Sequence, residues 1–462
     1  MTVPQDRSQP RRPNVLFIVV DDLRPQLGCY GRTQTLSPNI DGLAASGVTF
    51  TRAFCQIPVC GASRASLLKG ARPTRERFIN YYSWACKDMP EAVSLPAHFK
   101  QCGYATSSVG KVYHHNEDET ESWSVAPWRP TGDWFGNWRS YVSEESREIL
   151  KRRRDAGKED ARGPAYEAAD VADNAYPDGC VADKAIDELR RLSKGEEPFF
   201  LAAGFFKPHL PFNAPLKYWE MYDREKVALA PNPDRPEGAP DAAMHNWGEL
   251  RQYFDIPAEG PLTDEMARTL VHGYYACVSY TDAQIGKVLA ELDALGLGDD
   301  TIVVFWGDHG WQLGEHGLWC KHCNFMTSLN APLIVRAPGK LRGATSGRLA
   351  EFVDVYPTLC DLAGLEMPPH LEGRSLVPLL DDANVPWRRA AFSRYQKADT
   401  VATERHVYTE YTDGGEMLGR MLYDHDADPD ENVNIAGASE NEKVVAELRE
   451  TLHAGWRAER DG

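Results

Sequence analysis

The chain has no run of about eighteen apolar residues, so no segment is expected to span a membrane. Its first residues, Met1 to Pro13, are polar and rich in arginine, glutamine and proline, and lack the apolar stretch of a secretory signal. As given, the sequence reads as cytoplasmic, or as periplasmic or secreted with a leader already trimmed. Basic charge is scarce: 51 Lys and Arg against 68 Asp and Glu give a formal net charge of −17. That balance argues against nucleic acid as a partner, which needs a basic face, and means that an anionic ligand requires a local basic pocket. The ten cysteines, at 29, 55, 60, 86, 102, 180, 277, 320, 323 and 360, are too scattered for a disulfide scaffold. Cys320 and Cys323 form a lone CxxC with no second pair at zinc-site spacing, and read as ordinary thiols. Internal repeats and low-complexity tracts are also missing. What remains is a chain of 462 residues, long enough for one large α/β unit over 10–385 and a small α+β subdomain over 386–462.

Val15 to Val20 is a continuous apolar, β-branched run, the pattern of a strand buried on both faces of a parallel sheet. Phe199 to Gly204, Ile302 to Trp306 and Leu333 to Arg336 repeat it. Between them lie helical patterns, the clearest over Thr281 to Leu295 with Gly296 as the stop. Strands alternating with helices predict a large, mostly parallel sheet flanked by helices, with ligands at the carboxyl ends of the strands. The segment from about 115 to 180 is polar and irregular, with Trp123, Trp128, Trp134, Trp138 and a basic run at Lys151 to Arg154, and reads as a surface insertion. Its tryptophans suit either packing or stacking on sugar rings. Past Pro386, Arg405 to Tyr411 and Met417 to Asp424 flank Asp413-Gly414-Gly415, a hairpin in an antiparallel C-terminal sheet.

Cys60-Gly61-Ala62-Ser63-Arg64, continuing to Leu67-Leu68-Lys69-Gly70, places a cysteine on a small-residue turn with serine and arginine close behind, at what reads as a helix start. Arginine and the free N–H groups of a helix N-terminus both favour an anion there, though an isolated cysteine is as readily a packed hydrophobe. Asp21-Asp22 and Asp308-His309 each close a buried strand. Carboxylates converging at one sheet edge are costly unless a cation holds them. Hard oxygen ligands favour Ca²⁺ or Mg²⁺, while the histidine admits another divalent ion. Lys111 and His114, Lys207 and His209, and Lys321 and His322 add basic groups in three further segments.

The cysteine segment resembles the Cys-x-(Pro/Ala)-Ser-Arg pattern of the type I sulfatases, with Ala62 where proline is commoner and Lys69 where threonine is. Asp21 to Gly31, Ser37 to Asp41, Lys207-Pro208-His209 and Gly307 to Gly317 are similar to the iduronate-2-sulfatase branch of that family. The resemblance implies an alkaline-phosphatase-like α/β fold and hydrolysis of a sulfate ester, on a sulfated sugar in small-molecule or oligosaccharide form. It implies that a formylglycine-generating enzyme oxidises Cys60 to Cα-formylglycine, whose hydrate is the nucleophile. Asp21, Asp22, Asp308 and His309, with that modified Cys60, would hold calcium, and Arg64, Lys111 and Lys321 would clamp the sulfate. His209 would protonate the leaving oxygen and His114 would deprotonate the second hydroxyl, which expels sulfate; a serine would lack that hydroxyl. Two alternatives stand beside this reading: a phosphonate or phosphate monoester hydrolase of the same superfamily, and a non-catalytic glycan or anion binder should Cys60 stay unmodified.

Overall fold

Every residue of Asn14–Val20 is buried, because this strand sits in the middle of a sheet covered on both faces. The computed structural model describes residues 12–130, 140–157 and 162–460. Seven strands form the main sheet: β1 (Asn14–Val20), β2 (Val48–Phe50), β3 (Ala105–Gly110), β4 (Phe199–Phe205), β5 (Thr301–Gly307), β6 (Leu333–Arg336) and β7 (Ala344–Ser346). They run in the order β7-β2-β6-β5-β1-β4-β3. Strands β3, β4, β1 and β5 are mutually parallel, and β6 runs against both of its neighbours. The sheet is thus mostly parallel, as the apolar runs imply.

Alternation along β1 divides its side chains between two cores. Leu16, Ile18 and Val20 join a cluster with Val181 and Leu189 of α2 (Pro177–Leu192) and Leu270 and Ile285 of α3 (Asp264–Ala294). Val15, Phe17 and Val19 join the opposite cluster with Ala62, Ala65 and Leu68 of α1 (Cys60–Lys69). Helix α3 extends far beyond the expected Thr281 to Leu295. Its N-terminal half is buried from Thr269 to Asp282, so no polar stripe marks a helical period there.

Register carries the functional consequence. Val20 of β1 lies opposite Gly307 of β5 and Phe205 of β4, and Gly110 of β3 lies opposite Gly204 of β4. Four neighbouring parallel strands therefore end together, and the chain leaving them carries Asp21-Asp22, Asp308-His309, Lys207 to His209 and Lys111 to His114. Glycine is required at 204, where a Cβ would lie 2.1 Å from the Lys111 carbonyl oxygen.

A second sheet of four antiparallel strands, β8 (Ala391–Tyr395), β9 (Ala398–Ala402), β10 (His406–Asp413) and β11 (Glu416–Asp424), follows the chain order, with α4 (Glu442–Ala454) packed on it. The expected hairpin is there: Gly414 and Gly415 both have positive φ, as a two-residue turn needs. Within the tryptophan-rich segment the surface reading fails for Trp123, which is buried against Phe200 and Tyr113 in the sheet's core. Trp128 bridges to Val109 at the sheet edge. Both are packing residues; Trp134 and Trp138 lie outside the described residues. Cys320 and Cys323 are buried free thiols. Among the described residues no helix is long and apolar enough to cross a membrane.

Candidate active site

Cys60 is the first residue of α1, after Val59 in extended conformation. The helix therefore directs its free N–H groups at the cysteine's end. Gly61 lets the chain at Tyr81 press against this turn; a Cβ there would lie 2.7 Å from the Tyr81 carbonyl oxygen. Cys60 Sγ stands 3.2 Å from His114 Nδ1. Burial, reinforced by Lys111, lowers the His114 pKa to about 3, so the ring is a neutral proton acceptor beside position 60.

The carboxylates meet as the strand ends require. Asp22, in the left-handed region at φ 58°, donates its backbone N–H to Asp308 Oδ1 at 3.0 Å. His309 Nδ1 lies 2.9 Å from the Gly310 carbonyl, which accepts its proton and leaves Nε2 as a lone pair. That lone pair faces Asp22 Oδ1 at 3.4 Å and Asp308 Oδ1 at 3.6 Å. His309 Nε2 and Asp22 Oδ2 are buried without a hydrogen-bond partner. Acceptor atoms buried face to face are what a cation would satisfy. Among the described residues two groups fit a metal ion, Asp22 with Asp308 and His309, and Asp21 with Asp22 and His209. Cys60, also expected among the ligands, is in neither group; its thiol turns to His114. His209 is in the second group, although the sequence reading gave it only an acid's role.

The basic residues divide into two sets. Arg64 is wholly buried and donates Nε to Asp308 at 2.8 Å, Nη2 to Asp21 at 3.0 Å, and Nη1 to the carbonyls of Lys111 and Val112. These contacts orient the carboxylates. Lys111 Nζ pairs with Asp21. Lys321, by contrast, lines the cleft with Cys60, His114 and His209. Its neighbours Cys320 and His322 both have positive φ, 72° and 75°, and this double left-handed turn carries the lysine inward. Its Nζ donates to Asp22 Oδ1 at 2.7 Å and lies 3.2 Å from Glu249 Oε2.

These contacts set the charges. Burial would raise the Asp21 pKa, but Lys111 and Arg64 hold it well below the usual carboxylate range. Burial, opposed by Lys321 and aided by Asp21 and Glu249, drives Asp22 the other way. Burial lowers His209 with Lys321 adding to it, while Glu249 and Asp21 pull it back. Lys207 donates to the carbonyls of His209 and Pro211 and so holds the His209 loop.

Glu249 was not foreseen. Its Oε1 lies 3.1 Å from His209 Nε2, and its side chain is largely buried in the cleft wall. Lying in an irregular stretch with no motif, it left no signal in the sequence. The cleft has a volume of about 880 Å³. Tyr81 and Tyr82 form one side, with rings 4.1 Å apart, and Tyr395, Gln396 and Lys397 of the C-terminal sheet line another.

Comparison with known proteins gives this cleft its context. A sulfatase family model matches residues 13–365, and the C-terminal model of N-sulphoglucosamine sulphohydrolase matches 314–457. Iduronate 2-sulfatase of Homo sapiens is 37% identical over 403 residues, covering 77% of this chain and 70% of the relative. A sulfatase of Formosa agariphila is 29% identical, covering 97% of this chain and 88% of its own. Among solved structures, one in complex with its substrate D-glucosamine-2-N,6-O-disulfate superposes with a TM-score of 0.76 at 23% identity, covering 98% and 99% of the two chains. The phosphonate monoester hydrolase of Silicibacter pomeroyi superposes at 0.77, also with 23% identity, over 96% of each. These last two share the alkaline-phosphatase-like fold. With the family model matched along most of its length, the chain belongs to the sulfatase family and is a sulfuric ester hydrolase.

Proposed function

We propose that the protein removes sulfate from a sulfated sugar at the cleft where Cys60, His114, His209 and Lys321 meet. The carrying observation is Cys60 at the start of α1 with His114 Nδ1 at 3.2 Å. Cys60 is the residue that a formylglycine-generating enzyme would convert, and Asp21, Asp22, Asp308 and His309 would hold calcium, with magnesium the other hard cation that carboxylates suit. When present, the formylglycine hydrate would supply the nucleophilic oxygen and the cation would draw charge from the sulfate oxygens.

The chain's own residues then divide the work. Arg64 and Lys111 fix the carboxylates through Asp21 and Asp308. Lys321 presents its ammonium to the cleft, where a sulfate oxygen would accept from it. His114 accepts a proton at Nδ1 beside position 60. His209 Nε2, held by Glu249, delivers a proton to the departing sugar oxygen. The aromatic sides of the cleft and its size suit a sugar ring, and iduronate 2-sulfatase is among the relatives. The four-stranded sheet that supplies one side supports dividing the chain into a unit over 10–385 and a subdomain over 386–462.

Turnover of a panel of sulfated mono- and disaccharides, beside an aryl sulfate and an aryl phosphonate, tests this. A sulfated sugar is expected to be hydrolysed with the highest kcat/KM. Preference for the phosphonate would overturn it.

A further inference from the structure

Among the described residues that line the cleft, Glu249 is the only acid. It stands beside Lys321 and His209, at 3.2 Å and 3.1 Å, where a bound ester would place its oxygens. The Lys321 charge is already shared between Asp22 and Glu249. Arg162 also lines the cleft, 3.8 Å from Glu249 Oε1; its Nη1 donates to the Glu249 backbone carbonyl at 3.2 Å and its guanidinium lies over the Tyr253 ring. Glu249 Oε2 faces the Lys321 ammonium, the pairing of a carboxylate with a cation.

The esters that fit this cleft differ in charge. A sulfate monoester carries one negative charge, whereas a phosphate monoester carries about −1.5 to −2 at neutral pH, with a second pKa near 6. A fixed carboxylate beside the ester tolerates one negative charge and repels a second. We infer that Glu249 is a specificity-determining residue that selects monoanionic sulfate esters against dianionic phosphate esters by charge. The inference rests on the cleft being the site of sulfate-ester hydrolysis.

The test compares kcat/KM for an aryl sulfate and the matching aryl phosphate in the mature, metal-loaded enzyme and in Glu249→Gln and Glu249→Asp. Loss of support for His209 and Lys321 slows both substrates and cancels in the ratio. The phosphate-to-sulfate ratio is expected to rise roughly ten- to a hundredfold in Glu249→Gln, the scale of one unit-charge interaction across a few ångströms of protein. It should stay near the parent value in Glu249→Asp, which keeps the charge. In the parent the ratio should also climb below about pH 6, where the phosphate ester becomes a monoanion, and it should climb less in Glu249→Gln. If either variant is too slow to assay, calorimetric titration at about pH 8 with methyl sulfate and methyl phosphate, one singly and one doubly charged there, reads the same selectivity as binding. An unchanged ratio in Glu249→Gln, or an equal rise in both variants, overturns the charge-selection role. A parent enzyme that prefers the phosphate ester overturns instead the sulfate-ester reading.

Discussion

Replacing Arg64 by methionine would remove a charge from the interior while keeping most of the side chain's volume. The guanidinium is wholly buried and holds Asp308 at 2.8 Å and Asp21 at 3.0 Å. In the variant Asp21 keeps Lys111, but Asp308 loses its charged partner and keeps the backbone N–H of Asp22. Removing one partner of a buried ion pair leaves the other charge uncompensated and costs about 3–5 kcal/mol. Unfolding entropy of about 2.1 cal/mol/K per residue, over 462 residues, makes this a fall in Tm of roughly 3–5 °C in the presence of a chelator. A divalent cation bound by the same carboxylates would restore part of the missing charge. Added calcium is therefore expected to raise the Tm of Arg64→Met more than that of the parent. Scanning calorimetry of both proteins, with chelator and with calcium, reads the two effects. A chelated variant within about 1 °C of the parent would refute Arg64 as the counter-ion of these carboxylates, and equal calcium shifts would refute the shared charge.

Cys60→Ala is expected to abolish turnover while leaving the thermal transition and calcium binding close to the parent's, since the nucleophile is lost but little packing is; wild-type-like activity would sink the mechanism. Asp22→Asn and Asp308→Asn each take a charged ligand from a hard cation, so calorimetric titration should show weaker calcium binding in both, and unchanged affinity would remove them from the metal site. His209→Ala should slow a sulfated sugar by about a hundred- to ten-thousandfold and an activated aryl sulfate, which leaves without a proton, far less; equal losses would make His209 a binding residue. Asp173 supplies a pH test: burial would raise its pKa, but Lys217 and Lys287 hold it at about 2. A depressed carboxyl stabilises the fold above the unfolded-state value near 4 and loses that contribution as pH falls towards 2. Asp173→Asn should therefore flatten the stability profile between those values, and an unaltered slope would show that the two lysines do not act through it.

The sequence alone determined the strands that make the sheet's centre, the C-terminal hairpin, and the ionisable residues placed at the strand ends. Those signals are local. A buried parallel strand is a continuous apolar run, a hairpin announces itself by Gly414-Gly415, and Asp21-Asp22 or Asp308-His309 follows its strand directly. Periodicity failed where burial was uniform, as along the first half of α3 and around Trp123. Only the tertiary structure decided what each side chain faces. Arg64 and Asp308 are 244 residues apart, and their contact makes Arg64 a support for the carboxylates, which its sequence motif does not show. Glu249, Tyr81 and Tyr395 reach the same cleft from separate loops and a separate sheet. Nothing in their neighbours encodes that, because parallel strands set a common edge only once the whole sheet has paired.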